Sequence, residues 1–183
     1  MRLTIILASL LTYMVLPLVA SADEQLTPLV VDGDWAALEH RESMEDPPDI
    51  CIAAELANHF FIRADSNDIE IRYSDSSWSL PANVTGTMNL AVNGDSYPLP
   101  ITDNTNDMVI ATISQDQLQK IVADMNKAGS MAVTPGSGSA TTISLSGSNQ
   151  AVTAFLTCAG ISQPGNTGGS NPFQSSSGSG NSQ

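Results

Sequence analysis

The chain reads as an α+β protein, an antiparallel sheet or sandwich with two packed helices and one disulfide. Three observations carry that reading: short alternating apolar runs separated by turn residues, one strongly periodic stretch with helix punctuation, and two cysteines far apart. The 183 residues suit one ordinary domain, and 42% apolar residues are enough for a core.

The runs Ile50 to Ala54, Phe60 to Ala64 and Ile69 to Tyr73 have strand lengths. The cluster Asp65-Ser66-Asn67-Asp68 makes a hairpin of the last two. Asn93-Gly94 calls for a type I′ turn, because both central residues of that turn need positive φ. Such a turn pairs Val92 with Asp95, Leu90 with Tyr97 and Met88 with Leu99. Those are the hydrogen-bonded pairs, so the N–H groups that Pro98 and Pro100 lack would have pointed away from the partner strand. The prolines therefore mark a protected sheet edge.

Ser114 with Gln117 three residues on forms a capping box, and Leu118, Ile121, Val122 and Met125 follow a helical stripe that Gly129 is expected to stop. Strands over Met131 to Thr134 and Thr141 to Leu145 come next, flanking Pro135-Gly136-Ser137-Gly138-Ser139. A last helix starts near Ser148 and puts Ala151, Phe155 and Cys158 on one face.

The ends differ from this middle. Arg2, an uncharged run from Leu3 to Ala20, and Ala20-Ser21-Ala22 form a secretory signal over residues 1–22, with cleavage expected before Asp23. The globular domain is expected over 23–162. Residues 163–183 are almost entirely Ser, Gly, Asn, Gln and Pro, with no charge and one aromatic, Phe173, the composition of a flexible tail. Export to the periplasm or beyond puts Cys51 and Cys158 in an oxidising compartment, where a pair is expected to be bridged. Closing a loop of about 100 residues stabilises by about 4 to 5 kcal/mol in the chain-entropy model.

The order of features resembles the invasion-associated locus B family of exported bacterial proteins. It comprises Gly33-Asp34-Trp35, Cys51 on an early strand, Leu80-Pro81, Val92-Asn93-Gly94, the helix Leu118 to Met125, and Ile143-Ser144-Leu145-Ser146-Gly147-Ser148 before an Ala/Phe helix. The likeness spans Trp35 to Cys158. The family's second cysteine pair has no counterpart in Met108 to Ser114. The resemblance implies a periplasmic β-rich domain, in a family named for a host-cell invasion phenotype.

Charge narrows the partners. Nineteen acidic against 6 basic side chains give a net charge of -13, which disfavours nucleic acid and anionic membranes, and no stable membrane insertion is expected once the signal is removed. Fourteen of the acids lie between Asp23 and Asp75, with Glu42, Glu45, Asp46 and Asp49 gathered around Pro47-Pro48. That segment is the candidate docking surface for a basic protein. The expectation is a non-enzymatic envelope or secreted accessory protein, with two alternatives: an acidic inhibitor or immunity-type module, or a small periplasmic hydrolase using His40 or His59 as base. The nucleophile elbow, the zinc-protease helix motif and the phosphate-cradling loop are all missing. Asp103-Asn104-Thr105-Asn106-Asp107 lacks the glycine and final glutamate of a calcium loop and reads as a polar turn; no cofactor is expected.

Overall fold

A computed structural model describes residues 26–164. The signal over 1–22 and nearly all of the tail, Phe173 included, lie outside the described residues. Among the described residues eleven strands form two antiparallel sheets and two helices pack with them, which is the α+β class that the patterning predicts, with four strands beyond those it marks.

The large sheet has the order β1 (Thr27–Asp32), β2 (Trp35–His40), β3 (Ile50–Glu55), β4 (Phe60–Asp65), β5 (Ile69–Ser74), β9 (Met108–Ile113), β8 (Asp103–Asn104). The small sheet runs β11 (Thr141–Ser144), β10 (Ser130–Pro135), β6 (Thr87–Val92), β7 (Asp95–Pro100). Helix α1 (Gln115–Met125) links β9 to β10, and α2 (Ser148–Cys158) closes the domain.

Register explains the burial. One inner row of the large sheet is Trp35, Glu55, Phe60, Tyr73 and Val109; the next is Ala37, Ala53, Ile62, Ile71 and Ala111. All are buried, and apart from Glu55, whose carboxylate accepts from Asn58, one core joins them to Met88, Leu90, Met131 and Ile143 of the small sheet. Ala37 and Ala53 sit on β2 and β3, where α2 packs and lays down Ala151, Val152, Phe155 and Leu156. Small residues there let the helix approach the sheet closely.

The 93–94 hairpin has the expected register, with φ of 54° at Asn93 and 91° at Gly94, and β7 with its prolines is an edge strand. The Ser114 hydroxyl accepts the Gln117 N–H at 3.2 Å and caps α1. The helix stops at Met125 rather than running to Gly129. Lys127 and Ala128 donate to carbonyls three residues back, which tightens the chain into a turn before the glycine is reached. Asp124, buried near that end, accepts from the Tyr97 hydroxyl and from Lys127 Nζ at 3.1 Å, tying α1 to β7. Its bond to Asp124 pushes the Tyr97 hydroxyl up to about 12.

Two strands precede Ile50, the first strand of the sequence pattern. Between them, the turn at Gly33 sits on the turn that starts α2. Asp34 N–H donates to Ser146 O at 3.1 Å, and Trp35 Nε1–H donates to Ser144 O at 2.7 Å. A Cβ at Gly147 would lie 1.8 Å from Asp32 O, and one at Gly33 would lie 2.6 Å from Ser146 O. Both glycines also have positive φ, 54° at Gly33 and 86° at Gly147.

At the other end of α2, Cys158 is bridged to Cys51 with 6.0 Å between Cα atoms, across a separation of 107 residues. Replacing Cys158 by Ser is expected to lower the stability by about 2 to 5 kcal/mol in urea unfolding. A loss under 1 kcal/mol would mean that packing of α2 alone fixes it.

Candidate functional site

The acidic segment is the loop 41–49 between β2 and β3, and it is built from its own side chains. Arg41 folds back on Glu39, with Nε at 2.8 Å from one carboxylate oxygen and Nη2 at 3.0 Å from the other. This fork fixes the guanidinium plane and raises the Arg41 pKa through the Glu39 bond. Arg41 Nη1 then donates to Asp46 O at 2.7 Å, and Ser43 Oγ donates to Asp46 Oδ2 at 2.7 Å. At the base of the loop, Asp49 N–H donates to His40 O, and His40 Nδ1 lies 2.7 Å from Asp49 Oδ1.

The four acids therefore divide. Asp46 and Asp49 are used within the loop, and the His40 bond holds the Asp49 carboxyl below the usual range. Glu42 and Glu45 are exposed and have no ion-pair partner among the described residues. Between them Met44 is 95% exposed. Sequence spacing shows the cluster but not this division. The i, i+2 pair Glu39 and Arg41, at the end of a strand, is the one local signal for it.

The structure brings His40 and Asp49 together, two residues that the sequence assigns to different functions. A carboxylate on Nδ1 is how a histidine base is oriented. His40 faces a cleft of about 210 Å³ on the outer side of the large sheet, lined otherwise by Leu26, Ile50, Ile52, Arg63 and Arg72. None of these is a nucleophile. The arginines are occupied as well, Arg63 by Asp65 at 2.6 Å and Glu70 at 3.5 Å, Arg72 by Glu70 at 2.5 Å.

His59 stands apart, in the turn before β4, with φ of 51° and its carbonyl accepting from Ser74 N–H. The 103–107 segment is a clip: Asn104 Nδ2 donates to Pro81 O at 2.9 Å, and its Oδ1 accepts from Val84 N–H at 2.8 Å. No group of three or more metal-ligating side chains occurs among the described residues. No helix among them is long and apolar enough to cross a membrane.

No protein-family model, no curated protein and no solved structure matches the chain.

Beside the loop, Asp65 accepts from the Asn67 and Asp68 N–H groups and from Arg63, which lowers its carboxyl from 3.8 to about 2. A folded value below the unfolded one contributes stability above about pH 4 that is lost as the pH falls toward 2. Asp49 acts in the same direction. Urea midpoints measured from pH 4.5 down to 2 should fall, and Asp65→Asn should flatten that fall. An unchanged slope in the variant would show that the turn hydrogen bonds do not stabilise the charged form.

Proposed function

We propose that the protein is an exported, non-enzymatic accessory protein of the bacterial envelope or the secreted space, which binds a basic protein through the 41–49 loop. One observation carries this reading: the loop is braced internally by the Arg41 fork and the His40–Asp49 pair, yet leaves Glu42, Glu45 and Met44 turned to solvent. A braced loop loses little entropy on binding, and unpaired carboxylates attract a cationic surface. The Cys51–Cys158 bridge and the signal-like leader support an oxidising compartment. The family resemblance supports the same placement.

The same geometry accommodates an inhibitor or immunity-type module, if the basic partner is an enzyme whose active site the loop covers. The hydrolase reading has the His40–Asp49 dyad in its favour, but the residues lining the cleft supply no nucleophile.

Glu42→Gln with Glu45→Gln removes the two unpaired charges and leaves the bracing intact. Against a basic partner recovered from envelope extract, the double variant is expected to associate several-fold more slowly at low salt. Its binding should also depend less on salt, while dissociation changes little. Truncation after Gln163 should leave both rates alone. If the truncated chain fails to bind and the double variant binds as before, recognition lies in the tail and the loop reading fails.

A further inference from the structure

Beside the acidic loop lies a cleft of about 410 Å³, between the edge strand β1, the 41–49 loop and the flank of α2. We propose that this groove takes one apolar side chain from a lysine- or arginine-flanked segment of the partner, so that the loop attracts the segment and the groove anchors it. The proposal rests on the loop-binding reading and adds the chemistry of the bound segment.

The groove has an origin in the strand register. β1 pairs with β2 through Pro28 and Leu38, then through Val30 and Ala37, so Leu29 is the extra residue of a bulge. A bulge re-aims a side chain. Here Leu29 lines the groove, 38% exposed, facing Ala154 and the Cys158 end of α2, with Pro48 of the loop as a further wall. Glu39, Arg41 and Thr157 form the polar part of the lining: Glu39, only 9% exposed, is forked by Arg41, Arg41 also donates to Asp46 O, and Thr157 Oγ1 donates to Thr153 O at 2.9 Å. An apolar guest therefore covers an ion pair whose hydrogen bonds are made, and leaves no charge unpaired. The volume falls within the range of sites that enclose a ligand group.

Charge selects among occupants. The exposed Glu42 and Glu45 belong to the same loop as Pro48, so a guest flanked by cations is favoured and one flanked by anions is repelled. A second copy of this chain would bring another -13 and a second acidic loop against the first. Residues 165–183 carry no lysine or arginine, so the chain's own tail lacks the complementary charge. Pro28 and the bulge interrupt β1, the outermost strand of the large sheet among the described residues, which disfavours entry by strand addition and favours insertion of a side chain.

The test uses full-length mature protein labelled with ¹⁵N and three synthetic heptapeptides: leucine between two Lys-Lys-Lys arms, serine between the same arms, and leucine between two Glu-Glu-Glu arms. The leucine peptide with lysine arms is expected to shift the amides of Leu29, Ala154 and Thr157 and to bind at least about tenfold more tightly than the serine peptide. The glutamate peptide should not bind. Ala154→Trp, which fills the groove without changing charge, should reduce the leucine peptide to the affinity of the serine one. Leu29→Ser, which thins the wall from the other side, should act in the same direction and guards against misfolding of the first variant.

Equal binding of the leucine and serine peptides, shifts that map elsewhere, absence of binding at millimolar peptide, or indifference of the leucine peptide to both variants would overturn the groove. Glu42→Gln with Glu45→Gln separates the two readings. If it weakens both lysine peptides while leucine and serine bind alike, the loop stands and the groove falls. If it changes nothing while the leucine preference persists, the groove stands without the loop.

Discussion

The contact between two turns, Asp32-Gly33-Asp34 and Ser146-Gly147, determines where everything else in the domain can sit. Backbone meets backbone there with no space for a Cβ on either glycine. Asp34 N–H and the Trp35 indole each bond a carbonyl of the 144–146 segment, so the β1–β2 hairpin is fixed to β11 and to the start of α2. Trp35 then packs edge-on against Phe60, with 6.0 Å between ring centroids, and carries the joint into the core. The disulfide holds the opposite end of α2 on β3. A helix held at both ends cannot slide along the alanine-lined strands beneath it, and its exposed flank becomes a wall of the groove.

This joint gives a physical meaning to two motifs that in the sequence are only strings. Gly33-Asp34-Trp35 and the Ser144 to Ser148 segment lie more than a hundred residues apart and serve one contact. The Asn93-Gly94 hairpin, the Ser114 cap and the cysteine pairing were legible because each depends on local chemistry or on a count of two. β1 and β2 were not legible. Trp-Ala-Ala-Leu-Glu-His is composed largely of helix formers and is half or fully buried on both faces, so alternation is lost. β1 contains a proline and a bulge that break its period. The end of α1 differs for another reason: hydrogen bonds of its last turn close the helix before Gly129 is reached.

The candidate site was legible as charge and illegible as structure. Acid spacing around Pro47-Pro48 marks the loop, but which carboxylates are free depends on Arg41 turning back to Glu39 and on His40 meeting Asp49 across the loop's base. On the outer face of the large sheet, Arg63 and Arg72 are neutralised by Asp65 and Glu70. With those cations occupied, the unpaired charge near the loop is negative, and the exposed Met44 and the groove beside it supply apolar surface. Charge and apolar area in one place suit a partner that offers both.

Gly147→Ala compared with Gly94→Ala tests the joint most directly. Both positions have positive φ, so both substitutions carry a similar backbone cost of about 1 to 2 kcal/mol, but a Cβ at Gly94 meets nothing within 4 Å. In urea unfolding of the two variants, Gly147→Ala is expected to lose at least about 2 kcal/mol more than Gly94→Ala, or to fail to fold. Equal losses would contradict the account, because they would show that the two turns can separate without consequence and that α2 is placed by its packing and its disulfide alone.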